Sequence, residues 1–201
     1  MDSYLDITLH APTRVDLRQA AGRVLHILHS LLTNSATAGK VGVAFPEWQP
    51  NVLEGGHIVQ GGSVGHVIRM AGPGSGLEYI AEDAVLIGYL GDGWNGRMGG
   101  IKPLPNTDTH VRFARDRRME RTSKRYRQRE AKRRTEQFSG VSVRDRSISG
   151  ADLAETLHIL LPTLSTGQYF PLNIRREEMN APVSGSFNSY GLSSTATVPL
   201  F

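Results

Sequence analysis

Residues 4–32 limit the fold more than any other stretch. From Tyr4 to Leu9 the chain alternates, with Leu5, Ile7 and Leu9 on one side and Tyr4, Asp6 and Thr8 on the other. That is the pattern of a half-buried strand. Pro12 and Thr13 break it, and Asp16 is the expected N-cap of a helix. Leu17, Ala21, Val24, Leu25, Leu28, Leu31 and Leu32 then fall on one side of a helix of about four or five turns. On this helix His26 falls on the solvent side, and His29 falls at the margin of the apolar stripe. Val41, Val43 and Phe45 alternate in a second strand stopped by Pro46. Strand, helix, strand is the first half of a βαββαβ, ferredoxin-like arrangement, which RNA-recognition modules also use.

The middle of the chain departs from this clear patterning. Residues 55–100 hold 14 of the 22 glycines. His57–Gln60 reads as a short strand and Ser63–Met70 as a short helix weakened by Gly65. Ala84–Leu90 (AVLIGYL) reads as the best strand of the region, and no full second helix emerges. Gly91-Asp-Gly-Trp-Asn-Gly96 is formally a G-x-G-x-x-G motif. Dinucleotide binding needs a helix to open there, yet two more Gly and two Pro follow, so the match reads as a loop. Trp94 at its tip reads as a loop anchor rather than a contact residue. Pro103 and Pro105 mark a boundary, dividing the chain into residues 1–105 and 106–201.

Charge singles out the next stretch. From Arg112 to Arg134, 12 of 23 residues are basic and three are acidic, whereas the rest of the chain has 11 basic against 16 acidic residues. A net +4 therefore conceals a mildly acidic protein with one cationic element, the electrostatic footprint of a polyanion partner. The stretch lacks Pro and Gly and is rich in helix formers. Arg118, Arg121, Arg125, Arg129 and Lys132 recur at steps of three and four, which builds a cationic ridge with Lys124 beside it. A solvated helix usually mixes its signs, so nucleic-acid binding ranks above a merely solvated arm. Charge alone does not distinguish RNA from DNA.

Other classes recede. No apolar run approaches the roughly 18 residues that span a bilayer, and the first ten residues lack signal-peptide character. The chain has no Cys, which excludes disulfides and thiolate metal sites and is compatible with a cytoplasmic location. No convincing metal-ligand cluster stands out, so neither metal nor cofactor is expected. Toward the C-terminus, Ser149 with Asp152 resembles a capping box. Leu153, Leu157, Leu160 and Leu161 suggest a short amphipathic helix. Thr163-Leu-Ser-Thr-Gly-Gln168 reads as a polar turn. In the next strand Phe170, Leu172 and Ile174 alternate, and Pro171 argues for an edge position.

Several of these residues together resemble a known family. Met1-Asp-Ser-Tyr-Leu-Asp-Ile, Leu28-His29, Gly42-Val-Ala-Phe-Pro46 and the arginine-rich stretch come first. Ser165-Thr-Gly-Gln168, Phe170, Leu172, Ile174-Arg175, Tyr190-Gly-Leu-Ser193 and Val198-Pro-Leu-Phe201 follow. The chain resembles the CRISPR repeat-processing endoribonucleases of subtype I-F (the Csy-four, or Cas-six-f, type) over residues 1–46 and 107–201. The S-T-G-Q-x-F and Y-G-L-S elements are the specific part. The glycine-rich middle does not match.

The resemblance implies an α+β protein with an N-terminal ferredoxin-like domain and a smaller C-terminal α+β domain carrying the arginine helix. It implies binding of a CRISPR repeat stem-loop and metal-independent cleavage at the 3′ base of the stem. The protein would then stay on the guide RNA among the subunits of a surveillance complex. His29 takes the family's catalytic position. Thr163 stands where the family has a serine, and keeps a hydroxyl while adding a methyl. Tyr190 matches the tyrosine beside the histidine. Arg112 and Arg115 match the linker that reads stem bases, with Ala114 in place of a base-reading glutamine. Arg118, Arg121, Lys124, Arg125, Arg129 and Lys132 are expected on phosphates, and Ser165, Gln168 and Phe170 at the foot of the stem. Taken without the resemblance, Phe170 equally suits a core face and His29 equally suits packing. Thr163 also sustains a second expectation, a non-catalytic subunit that caps the guide-RNA hairpin in an effector or transposon-associated complex.

Overall fold

The computed structural model of the chain describes residues 1–91, 93–118, 150–163 and 167–201. The predicted opening is present. Strand β1 (Ser3–Leu9) leads into helix α1 (Arg14–Leu31), which returns to strand β2 (Gly42–Ala44). Leu5, Ile7 and Leu9 are buried, as is the α1 stripe from Leu17 to Leu31. The cap differs from expectation. Thr13 is the N-cap, and its side chain accepts the Asp16 N–H at 3.1 Å. Asp16 lies three residues on, and its carboxylate accepts the Thr13 hydroxyl at 2.6 Å.

A hairpin, β3 (Val52–Glu54) and β4 (His57–Gln60), is inserted next. The chain then runs through β5 (Val67–Gly72), α2 (Gly74–Ala81), α3 (Ala84–Leu90), β6 (Gly96–Met98) and β7 (Lys102–Pro103). Two expectations are overturned here. The second half of Ser63–Met70 is strand, not helix. Val67–Gly72 lies between β1 and β2 and is buried almost throughout. Its one charge, Arg69, is bidentate with Asp6 on β1, with both bonds 2.8 Å. Ala84–Leu90 is helix, not strand. Asp83 caps it by accepting the Leu86 N–H at 2.8 Å. Leu86 and Leu90, four apart, are buried while Val85 and Ile87 are exposed. Two short helices thus supply the second helix that the sequence did not reveal.

The sheet order is β2-β5-β1-β6, with β7 also on β1 and every recorded pairing antiparallel. With the hairpin set aside, the elements read βαββαβ, and the two strands of each βαβ unit flank an antiparallel neighbour. This is the ferredoxin-like topology.

The second sheet has the order β11-β8-β10-β9. It contains β8 (His110–Arg115), β9 (Thr156–Pro162), β10 (Tyr169–Met179) and β11 (Val198–Pro199). A short helix α4 (Gly150–Ala154) precedes β9. The expected amphipathic helix through Leu161 is instead mostly strand β9, where Leu157, Ile159 and Leu161 alternate into the core. The expected cap residue Ser149 lies outside the described residues. Strand β10 lies inside this sheet, but β8 pairs only with Ile174–Met179. Pro171 therefore sits on a stretch paired only with β9, an edge-like position of the kind that tolerates proline. One apolar cluster joins β1, α1, β5, β8, β9 and β10, with Phe45, Trp48 and Phe113 rings in mutual contact. Phe201 is tied to the first sheet through Arg69, which lies 3.9 Å over its ring.

Candidate functional site

Helix α1 carries a second stripe beside its apolar one. Arg18, Gly22 and His29 are four and seven residues apart, so they share a face. That face meets β9. A Cβ at Gly22 would lie 1.8 Å from the Leu160 carbonyl oxygen, so only glycine permits the approach. Arg18 Nη1 lies 3.2 Å from His158 Nε2. Because Arg18 matches His158 and Gly22 matches Leu160, helix and strand run in the same direction. At about 1.5 Å per helical residue and 3.3 Å per strand residue, His29 and Thr163 both lie about 10 Å beyond that contact.

His29 is half-buried, and its ring stacks on Tyr190 with centroids 4.5 Å apart and planes at 15°. Its Nδ1 lies 3.3 Å from the Ser189 carbonyl oxygen. A carbonyl only accepts, so this bond puts the proton on Nδ1 and leaves the Nε2 lone pair available. The loop that supplies both contacts is fixed by Asn188. Its side-chain oxygen accepts the Tyr190 N–H at 2.8 Å and the Leu192 N–H at 3.2 Å. Gly191 has φ +71°, and a Cβ there would meet Val43 Cγ2 at 2.4 Å. Tyr190-Gly191 is thus seated directly on β2, where the Val43 N–H donates to the Gly191 carbonyl at 2.8 Å.

The polar turn after β9 is closed by two backbone bonds. The Thr163 N–H donates to Gln168 O at 2.7 Å, and the Gly167 N–H donates to Thr163 O at 2.9 Å. Ser165 lies outside the described residues. Gln168 is exposed. Phe170 pairs with buried Leu161 yet is 38% exposed. The core stripe of β10 runs out at this ring, which leaves an aromatic face at the mouth of the turn.

The expected RNA-binding arginines separate into groups. Arg112 is engaged within the protein. It bonds Glu177, its cross-strand neighbour, through Nε at 2.7 Å and through Nη2, and it donates to Ser194 O at 2.9 Å. Arg115 and Arg117 line a cleft of about 380 Å³ with Ser186, Asn188 and residues 192–195. The loop that holds Tyr190 against His29 is thus also a wall of the arginine cleft. Arg118 is bidentate with Asp116, the shorter bond being 2.7 Å, and Asp116 also accepts the Arg118 N–H at 2.9 Å. Burial alone would raise the Asp116 carboxyl pKa. The bonds from Arg118, its charge and the Thr156 hydroxyl outweigh that and hold it below the usual value. Arg121, Lys124, Arg125, Arg129 and Lys132 lie outside the described residues. Strands β8 and β9 are both antiparallel to β10, so the chain leaves Arg115 toward the end of the sheet that carries Thr163.

Sequence reasoning missed the groups around α1. Burial, aided by Arg18, lowers the His158 pKa. Burial also lowers that of Arg18, with Arg14 adding repulsion. Arg23 Nη2 donates to the Tyr169 hydroxyl at 3.2 Å. The Tyr89 phenol nearby is raised by burial, with Arg23 opposing the shift. Asn188-Ser189 was also missed, although Asn two residues before Tyr and three before Gly is an Asx-turn signal. Trp94 is not an anchor, because it is 87% exposed. His26 is half-buried rather than on open surface. Among the described residues no three His, Cys, Asp or Glu side chains converge as metal ligands, and no helix is long and apolar enough to cross a membrane. Compared with protein families, residues 4–201 match the family model of the CRISPR-associated protein Cas_Csy4.

Proposed function

The chain belongs to the Cas_Csy4 family of CRISPR-associated proteins, and from that membership we propose that it is a metal-independent endoribonuclease that matures guide RNA. It binds the stem-loop of a CRISPR repeat transcript, cuts at the 3′ base of the stem, and keeps the product hairpin within a cytoplasmic surveillance complex. Residues 1–105 serve as the ferredoxin-like half that carries His29. Residues 106–201 serve as the half that carries the arginine-rich element.

The observation that carries this reading is the His29 imidazole, stacked on Tyr190 and tied through Nδ1 to Ser189 O. Its free Nε2 lone pair suits a general base. RNA brings its own nucleophile, the 2′-OH beside the scissile phosphate. His29 takes the proton from that hydroxyl. The 2′-oxygen attacks phosphorus, the bond from phosphorus to the 5′-oxygen breaks, and that oxygen takes a proton from solvent, to which His29 returns its own. The products are a 2′,3′-cyclic phosphate and a 5′-OH. Thr163, in the turn after β9, supplies a hydroxyl to hold the 2′-OH in line.

Arg115, Arg117 and the cationic residues beyond them face the phosphates of the stem, which fix position rather than sequence. Ser165, Gln168 and Phe170 serve the foot of the stem, with the Phe170 ring available for stacking on a base. Arg112 reaches a base only with the guanidinium edge that Glu177 and Ser194 leave over.

The test is incubation of the protein with its own repeat RNA in excess EDTA. The expected outcome is one cut at the 3′ base of the stem, with a cyclic phosphate on the upstream product. A strict Mg²⁺ requirement or a 3′-OH product overturns the mechanism. Tight hairpin binding without cutting points to the capping subunit instead, with Thr163 as the first residue to examine.

A further inference from the structure

Stacking on Tyr190 fixes the plane of the His29 ring but does not choose between its two nitrogens. A half-turn of the imidazole about its Cβ–Cγ bond keeps the stack and exchanges the ring edges. The choice falls to the Ser189 carbonyl, 3.3 Å from Nδ1. That distance is at the long end of the hydrogen-bond range, so the contact selects a nitrogen only while the carbonyl stays aimed at it. What aims it is the other end of the same peptide unit. Ser189 C=O and Tyr190 N–H belong to one trans peptide. They lie in one plane, point in opposite directions and turn together. The Tyr190 N–H donates to Asn188 Oδ1 at 2.8 Å. A fixed N–H on one side of the peptide thus fixes the carbonyl on the other.

The Asn188 side chain is free to serve this purpose. Its Oδ1 also accepts the Leu192 N–H at 3.2 Å, an Asx-type arrangement. The Asn188 N–H donates to Leu192 O at 2.8 Å, and the Asn188 carbonyl accepts the Gly191 N–H at 2.9 Å. Backbone bonds therefore close the turn, and the side chain is left to set the peptide within it. The turn is also anchored from outside, by the Val43 N–H on Gly191 O at 2.8 Å and the Ser193 N–H on Phe113 O at 3.0 Å. Asn188 itself is exposed, so it contributes little to core packing.

We propose that Asn188 is a positioning residue for the candidate base, acting through the Ser189–Tyr190 peptide to keep the His29 proton on Nδ1. The inference rests on the function proposed above. The relay runs from His29 Nδ1–H to Ser189 O, and from Tyr190 N–H to Asn188 Oδ1, each bond polarising the next. It leaves the Nε2 lone pair as the proton acceptor of the ring, the form a general base needs.

The test compares Asn188→Ala, which removes the acceptor, with Asn188→Asp, which keeps it. Side-chain nitrogen NMR of the whole protein, at alkaline pH where imidazole is neutral, reads which nitrogen carries the proton. The His29 signal is the one of seven histidines that disappears in His29→Ala. The proton is expected on Nδ1 in wild type and in Asn188→Asp, and shared between both nitrogens in Asn188→Ala. Asn188 also lines the Arg115–Arg117 cleft, so cleavage is read in single turnover at saturating protein, where a change in hairpin affinity does not enter. Asn188→Ala should cut about tenfold more slowly, part of the 10²–10⁴ a positioned base contributes, and Asn188→Asp should return to within about threefold of wild type. A wild-type proton on Nε2, or an Asn188→Ala protein with the wild-type proton position, overturns the relay. So does an Asn188→Asp protein as slow as Asn188→Ala. If Asn188→Ala only weakens hairpin binding and cuts at the wild-type rate once saturated, Asn188 contacts RNA instead and the proposal is wrong. A wild type that binds the hairpin and never cuts rejects the parent reading, and the nitrogen signals still decide the relay.

Discussion

The rings of His29 and Tyr190 are stacked at 4.5 Å and 15°, although the two residues lie 161 positions apart. One belongs to the ferredoxin-like half and the other to the C-terminal tail. The stack exists because Gly191, in a left-handed conformation, lets the tail settle on Val43 of β2, and because Asn188 fixes the loop. The same loop forms a wall of the Arg115–Arg117 cleft. The candidate base and the start of the cationic element thus share one support.

A ring stack orients through its face, not through its hydroxyl. Tyr190→Phe is therefore expected to keep single-turnover cleavage within about threefold of wild type. Tyr190→Ala should slow it by about tenfold, part of the 10²–10⁴ a positioned base contributes. A rate loss in the Phe variant equal to that in the Ala variant would assign the role to the phenol instead.

Two helical glycines should respond to alanine with opposite signs. Alanine is about 1 kcal/mol better than glycine within a helix. At Gly88 of α3 a Cβ meets nothing within 4 Å, so Gly88→Ala should raise the thermal midpoint. At Gly22 the Cβ would strike Leu160 O, and the overpacking cost of about 1–3 kcal/mol or more outweighs the propensity gain. Gly22→Ala should lower the midpoint and push α1 away from β9. Thermal unfolding of the two variants side by side checks both signs.

Stability should fall with acid in two stages. The folded His158 pKa is depressed below its ordinary 6.5, so the unfolded chain binds the extra proton first. Stability from this group is complete above that value and is lost as pH falls through the window below it. The folded Asp116 pKa lies below its ordinary 3.8, so its contribution is complete above 3.8 and is lost as pH falls toward the folded value. His158→Gln should flatten only the upper stage, and Asp116→Asn should remove only the lower one. Denaturant unfolding at a series of pH values reads both.

The sequence displayed elements whose pattern is set by a single buried face. Strand β1 alternates and α1 repeats every three to four residues, because each presents one side to the core. His29 could be placed at the stripe margin for the same reason. Elements buried on both faces, or too short for a period, were illegible. Arg69 hides β5, because its alternation is broken by a charge that Asp6 satisfies across the sheet. In α3, seven residues with one polar-free run gave no period, and the cap at Asp83 was the only local signal. Leu157 and Leu161 fit a helix step as well as a strand alternation, and the register with β10 decides for strand. The contacts of the α1 arginines were invisible for another reason. Their distinction lies in which partners they have, and those partners are remote in sequence.

The last prediction separates chemistry from affinity. His29 belongs to α1, whereas the bulk of the positive charge lies beyond Arg112. Binding to a stem is dominated by phosphate contacts, so His29→Ala should leave hairpin affinity within about tenfold, or roughly 1.4 kcal/mol. Its cleavage rate should fall by about 10²–10⁴. His26→Ala, one turn earlier, should change neither. At Thr163 the hydroxyl is the useful group and the methyl the intruder, so Thr163→Ser should keep or raise the rate, and Thr163→Val should lose it. The decisive comparison is single-turnover cleavage beside equilibrium binding for these four variants. A His29→Ala protein that cuts at the wild-type rate removes the catalytic assignment. A Thr163→Val protein that cuts as fast as wild type removes the hydroxyl from the mechanism and leaves His29 to act alone.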